Sequence, residues 1–525
     1  MSKATEMARV SARGGFNLLW GLVASTIISA VGTIAITYIL GPEKFGLYSI
    51  AIVAPSLVST FRDWGVNSAI VKYSAQYNAE NNPKIRSIFI SGLVFEIILG
   101  VSLSLLSFGL SPFFASSLHR STIVPLIQIA SLFILTGAVV NTATAAFTGM
   151  ETLHLYSFML IIQSIAKTVL ILALVLLGFG TLGAITGFTT ASLLAGLAGV
   201  LLMWTIYKSL PQSTNSKLEI MATIKTMLKY GLPVSISTII TGFLTVFYSY
   251  LLAIYVNNNA LIGNYNLAIT FSVLITFFAT PVTTVLFPAF SKLDYKKDNE
   301  TLRNVFQYSV KYASLIVVPV TAMVIALAQP GIGTIYQNRY AEAPLFLALV
   351  SISYLYTAFG NLSIGNLING QGYTKFNMKL SILTAAIGFP LSFVLISQFG
   401  VIGLIATVLT VSLPSLFISL RFIKKRFGVS VDWLSSAKIL FSSIITAILT
   451  YALISQLTFS NPIRLAIGVI AFIVIFITAT VLTRTINKGD LNSLREIINV
   501  LGPLRKPLAF LLKIIEKLMA LFHSQ

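Results

Sequence analysis

Apolar stretches of about 20 residues recur along the whole chain, at 16–40, 45–70, 87–108, 123–147, 156–178, 182–207, 232–256, 265–290, 308–328, 345–368, 379–398, 400–420, 437–458 and 463–483. About twenty residues, each rising 1.5 Å along a helix, cross the ~30 Å hydrocarbon of a bilayer. So many stretches cannot hide in a water-soluble core, because such cores stop growing at roughly 250 to 300 residues. Composition points the same way. The chain is 56% hydrophobic and 10% charged, whereas soluble chains carry about 25% charged residues. The pattern predicts an all-α polytopic membrane protein of about fourteen transmembrane helices.

Lys and Arg outnumber Asp and Glu by 35 to 15. In a soluble protein that balance suggests nucleic acid; here it follows the connections between spans. With the N-terminus inside, 29 of the 35 fall on the inner connections and tails. Only Lys44, Arg120, Arg339 and Arg464 fall outside, and Arg62 and Lys167 lie within spans. This asymmetry predicts a multi-pass protein of the cell membrane with both termini cytoplasmic and no nucleic-acid partner. The connections are short, so no soluble catalytic domain is expected. The polar N-tail and the length of the first apolar stretch predict a retained span rather than a cleaved leader. With no cysteine, disulfides and thiol nucleophiles are excluded, and the redox compartment stays open. His119 and His154 are too distant in sequence to suggest a metal pair, and neither a metal nor a cofactor is expected.

An internal repeat organises the spans. A shift of 217 residues matches Gly46 to Gly263, Tyr48 to Tyr265, Ala51 to Ala268 and Ile52 to Ile269, then Ser74 to Ser291, Arg86 to Arg303 and Phe89 to Phe306. Further on the offset drifts to about 220, where Gly180-Thr-Leu-Gly-Ala-Ile meets Gly400-Val-Ile-Gly-Leu-Ile. A repeat of six spans gives both copies one orientation, so an axis along the membrane normal should relate them, with a substrate site between the halves. The expected layout is a cytoplasmic N-tail at 1–15, an N-lobe at 16–207, an inter-lobe linker at 208–231 and a C-lobe at 232–421. Two further helices follow at 437–483, and a basic amphipathic tail at 484–525 is expected to lie on anionic headgroups or on the protein's own loops.

The first half resembles the polysaccharide-type flippases of the multidrug, oligosaccharidyl-lipid and polysaccharide export superfamily. Arg13-Gly-Gly-Phe-Asn-Leu-Leu, Leu40-Gly-Pro-Glu-Lys-Phe-Gly-Leu-Tyr48 and Phe61-Arg-Asp-Trp-Gly-Val-Asn-Ser-Ala-Ile70 carry the likeness. The last segment is similar to the family's aspartate, apolar, glycine signature. This resemblance implies alternating access of two lobes, and a polyprenyl-phosphate or diphosphate substrate bearing an oligosaccharide, moved from inner to outer leaflet. Membrane lipids and polysaccharide-assembly proteins are the further partners it suggests.

Charges within spans are costly, at least ~2.5 kcal/mol near the bilayer centre, so they mark a cavity or a partner. Arg62, Asp63, Glu96 and Lys167 all belong to the first half. Two readings stand side by side. In one, Arg62 and Lys167 receive phosphate oxygens, Arg62 through a bidentate fork and Lys167 as a point charge, with Arg13 attracting the headgroup first. In the other, the two cations only neutralise Asp63 and Glu96. Either carboxylate is also a candidate for ion coupling, Glu96 first, because no opposite charge adjoins it in its own helix. Asn67 and Gln163 are candidates for hydrogen bonding within the lobe, and Tyr248 for a sugar or cavity contact.

A lipid-linked oligosaccharide flippase is therefore the leading expectation, and the protein is not expected to be an enzyme. A cation-coupled multidrug exporter of the same superfamily is the alternative. A membrane-embedded glycosyl-transfer enzyme ranks lower, since the loops are short and no Asp-x-Asp motif is present, and a scaffold for polysaccharide assembly remains open.

Overall fold

The computed structural model describes residues 3–211, 219–485 and Glu516, with side chains throughout except at 3–19 and at 281, 282, 284, 285, 287 and 288. Every regular element among them is helical: α1 Lys3–Ser59, α2 Val66–Ala79, α3 Lys84–Gly109, α4 Ser111–Ser117, α5 Val124–Gly149, α6 Leu153–Leu174, α7 Gly180–Ser209, α8 Ile220–Tyr255, α9 Asn259–Phe271, α10 Val273–Ser291, α11 Asn299–Ala326, α12 Ala328–Tyr336, α13 Ala343–Ser351, α14 Asn361–Gly370, α15 Thr374–Phe427, α16 Trp433–Ser455 and α17 Asn461–Leu482. Ten helical segments are long and apolar enough to cross a membrane, eleven if the bent pair α13 and α14 counts as one. The protein is thus an all-helical, multi-pass membrane protein. Three of those segments, Trp20–Ser59, Leu153–Ser209 and Thr374–Phe427, are interrupted at Gly41, at Gly178 and at Gly400. Each covers two of the apolar stretches counted in the sequence, which is where ten or eleven segments differ from fourteen stretches. The expected tail helix lies, Glu516 apart, outside the described residues, as does 212–218 of the expected linker.

The chain forms two compact units, Met1–Thr270 with Ser381–Thr407, and Phe271–Leu380 with Val408–Gln525. In the first, α6 packs along α1, α5 packs on both α3 and α7, and α8 crosses α2. Small residues make the α1–α6 contact: Gly21 abuts Ser157, Ser29 donates to Ser164 at 3.1 Å, and Gly32 abuts Thr168. Lipid tails are as apolar as leucine, so close backbone approach and interhelical hydrogen bonds replace the hydrophobic drive between helices. The outward surface is accordingly apolar, with Leu105, Leu176, Leu177 and Leu201 all exposed. Inside, Ser107 and Ser131 hydrogen-bond between α3 and α5 at 2.8 Å.

The second unit packs α16 between α11 and α17, and α14 on α10. Phe290, Phe306, Leu367, Ile423 and Phe427 form its core. Asp432 caps α16, its Oδ1 accepting from the Ser435 N–H at 3.2 Å.

Two features answer the internal repeat directly. Gly180 and Gly400, equivalent at an offset of 220, share one backbone conformation, with φ and ψ of 52° and −128° at the first and 55° and −124° at the second. That is a positive-φ region that favours glycine, though Gln337 adopts it as well, at 54° and −124°. The second feature is a contact. A Cβ on Gly46 would overlap the Asn259 carbonyl, and one on Gly263 would overlap the Pro42 carbonyl. Positions 42 and 259, like 46 and 263, are 217 apart, so the crossing of α1 and α9 has local two-fold symmetry in the register of the repeat. Nearby, Arg120 donates to the Ala253 and Val256 carbonyls at 2.7 and 2.8 Å and to Asn259 Oδ1 at 2.8 Å. The Ser117 and Tyr250 hydroxyls also hydrogen-bond to each other.

Candidate functional site

The apolar stretch 45–70 is not one helix. α1 stops at Ser59, α2 starts at Val66, and Thr60–Gly65 is a turn. The chain closes on itself through the Phe61 and Arg62 N–H groups, which donate three residues back to Val58 and Ser59 at 3.1 Å each. Gly65 then takes φ 83°, a left-handed value that costs other residues roughly 1–2 kcal/mol. It also touches the backbone of Gly231 on α8, and a Cβ on either glycine would overlap the other's carbonyl. Asp63 closes the turn, its Oδ1 accepting from the Gly65 N–H at 2.8 Å and the Asn67 N–H at 3.4 Å. A carboxylate here is favoured by the N-terminal dipole of α2. Arg62 and Asp63 therefore sit in a turn and not on a continuous helix, where neighbours would diverge by about 100°.

Arg62 leaves the turn inward and is 7% exposed, while Glu96 on α3 is fully buried. Arg62 Nε lies 3.7 Å from Glu96 Oε2, and its Nη1 donates to the Ile134 carbonyl at 3.3 Å. Asn67 Nδ2 donates to the other Glu96 oxygen at 3.0 Å. Arg62, Glu96 and Asn67 thus form one buried polar cluster joining the turn, α2, α3 and α5. The contact is electrostatic more than hydrogen-bonded, because Arg62 Nε and Glu96 Oε2 have no hydrogen-bond partner among the described residues.

Asp63 faces elsewhere. Together with Ser56, Ser59, Thr60, Ser68 and Phe133 it lines a cavity of about 370 Å³, closed on the α8 side by Ser235, Thr238, Gly242 and Val246. Among the described residues six hydroxyls and one carboxylate converge here, and neither Lys nor Arg lines the space. Such a lining offers hydrogen bonds to hydroxyl-bearing groups, or one negative charge to a cation, rather than a cradle for phosphate.

The remaining candidates lie apart from this cavity. Lys167 on α6 is half-buried, its Nζ 5.3 Å from the centre of the Phe188 ring, within the range of cation–π attraction. Phe188 packs against Phe133, so two rings stand between Lys167 and the cavity. Among the described residues Lys167 has no carboxylate within 4.0 Å, and Arg62 with Glu96 is the ion pair found. Gln163 is half-buried on α6. Tyr248 is buried on α8 with its hydroxyl against Gly388. Arg13 belongs to α1, but its side chain lies outside the described residues. The hydroxyls of the cavity went unnoticed in the sequence. Ser235 and Thr238 nevertheless share a helical face with the small Gly242 and with Val246, a spacing readable in retrospect.

Known proteins place this architecture. The model of the polysaccharide biosynthesis protein family matches residues 35–345. An uncharacterized membrane protein of Methanocaldococcus jannaschii is 21% identical over 374 residues, 68% of this chain and 73% of that protein. Among solved structures, the lipid II flippase MurJ in an inward closed conformation superposes with a TM-score of 0.69 at 16% identity, covering 89% of this chain and 98% of that one. An inward-facing multidrug-resistance MATE transporter of the MOP superfamily gives 0.59 at 16% identity, over 77% and 94% of the two chains. The fold is that of the multidrug, oligosaccharidyl-lipid and polysaccharide superfamily, and the chain belongs to the polysaccharide biosynthesis protein family.

Proposed function

We propose that this protein flips a polyprenyl-phosphate- or diphosphate-linked oligosaccharide from the inner to the outer leaflet of the cell membrane, by alternating access, for surface polysaccharide or glycoprotein assembly. The observation that carries this reading is the hydroxyl-lined cavity of the first unit, with Asp63 and Phe133 in its wall. Sugars are held by acceptors and donors spaced around their hydroxyls and by an apolar ring face, and this lining has both. Membership of a polysaccharide biosynthesis family supports the same substrate class. In this reading the cavity takes the sugar, and Arg13, Arg62 and Lys167 serve the phosphate. Phosphate competes with Glu96 for Arg62, which frees a carboxylate for ion coupling. Each arm of the interrupted helices crosses the membrane separately, so that two six-helix lobes and two added helices make fourteen spans with both termini cytoplasmic. Transport leaves the substrate's covalent structure unchanged.

The test is reconstitution of the full chain in vesicles with a fluorescent lipid-linked oligosaccharide. Label should cross leaflets with its covalent structure intact. Asp63→Asn and Thr238→Val, each removing a hydrogen bond to substrate, should slow crossing by about tenfold while the protein remains folded. Wild-type rates in both variants would sink the cavity assignment, and a chemically altered substrate would favour glycosyl transfer.

A second reading has its own observation. Among the described residues Asp63 is the only charged one in the cavity wall, which suits a cationic drug carried by an ion-coupled exporter. Uptake of a lipophilic cation, inhibited by Asp63→Asn, with no movement of lipid-linked sugar, would select it.

A further inference from the structure

The second unit holds a hollow of about 420 Å³ lined by Phe376, Ile418, Arg421, Phe422, Lys425 and Arg426. Five of these residues fall on the last three turns before α15 ends at Phe427. Their spacing of three and four places them on one helix face. Phe376, from the first turn of the same helix, stacks on Phe422 with ring centres 3.8 Å apart and 16° between planes. The floor is therefore aromatic and the rim carries three cations.

Ordinary basic residues at a span end reach freely into water, but Arg426 is held. Its Nε donates to the Tyr373 hydroxyl at 2.7 Å, and Tyr295 and Tyr373 both lie within 6 Å of the guanidinium carbon, at 5.7 and 5.4 Å from their ring centres. Arg421 and Lys425 are exposed. Among the described residues none of the three has a carboxylate within 4.0 Å. Toward the apolar middle of α15, Ile418 and Phe417 are exposed at 41% and 63%. A phosphate on the rim and a hydrocarbon chain along Ile418 and Phe417 would both be satisfied at once.

We propose that this hollow binds the phosphate headgroup of an anionic phospholipid of the surrounding leaflet. Three cations with no carboxylate partner among the described residues supply the affinity, the positioned Arg426 supplies the geometry, and the stacked phenylalanines seat the glycerol region. The occupant is a membrane lipid rather than a soluble anion, because the apolar continuation of the hollow has no use for one.

The test is native mass spectrometry of the full chain released from vesicles of equal phosphatidylglycerol and phosphatidylcholine. Wild type should retain phosphatidylglycerol about tenfold over phosphatidylcholine, and the triple variant Arg421→Gln, Lys425→Gln, Arg426→Gln should lose that preference. The control variant Lys208→Gln, Lys225→Gln, Lys229→Gln removes the same charge from exposed positions of the first unit and should keep it. Arg421→Gln alone, at an exposed position that holds nothing else, should weaken it several-fold even if the triple variant fails to fold. Equal loss in the control, no preference in wild type, or displacement of the lipid by millimolar glycerol phosphate would each overturn the proposal.

Discussion

Glu96 has no surface exposed, and Arg62 almost none. Removing one partner of such a pair leaves a charge that neither water nor protein satisfies, typically at a cost of about 3–5 kcal/mol, whereas replacing both by apolar groups can be nearly neutral. Glu96→Leu should therefore lower the thermal midpoint sharply, and Arg62→Met with Glu96→Leu should recover most of it. Thermal unfolding in detergent measures the difference; a double variant as unstable as the single would show that the pair is not the reason for the loss. If the refolded double variant also fails to transport, Arg62 has a role beyond neutralising Glu96. The sequence shows that four charges lie in apolar stretches of the first half, but not how they pair. Arg62 reaches Glu96 because the chain turns at Thr60–Gly65, and Lys167 ends over Phe188 because helix packing puts a ring there.

At the scale of the element, Asp63-Trp64-Gly65 has a physical explanation. Asp63 accepts the N–H of Gly65, and Gly65 supplies a left-handed bend and room for Gly231. Gly65→Ala and Gly231→Ala should each destabilise the protein, the first by at least about 1–2 kcal/mol. Because both act on one crossing, their combined effect should fall short of the sum. Full additivity in unfolding measurements would mean that the crossing is not shared. This break is hidden in the sequence, since Phe61, Trp64 and Val66 carry the apolar stretch through it. The spans themselves are plain, because crossing lipid demands length and apolarity whatever the tertiary fold. The hydroxyl cavity is legible only in part: serines and threonines are ordinary in membrane helices, and only packing of α8 across the turn makes six of them converge.

For the whole molecule the repeat is the strongest thread, legible in the sequence at offsets of 217 and 220 and present in the backbone of Gly180 and Gly400 and the crossing of Gly46 and Gly263. Around that crossing Arg120 ties the loop after α4 to the end of α8 and to Asn259. The chain contains no cysteine, so one introduced at the buried Ala253 reports opening without background. Arg120→Gln removes hydrogen bonds from a charged donor and should raise its labelling by a membrane-impermeant maleimide about tenfold. Unchanged labelling would mean that Arg120 does not hold this face shut.

The crossing of Gly46 and Gly263 also bears on speed. Backbone meets backbone there, with no side chain from either glycine between them. A methyl group at either position would therefore push the two backbones apart, so Gly46→Ala and Gly263→Ala should each slow exchange between conformations that need this close approach, and the Arg120 hydrogen bonds beside it give single substitutions a second handle on the same joint.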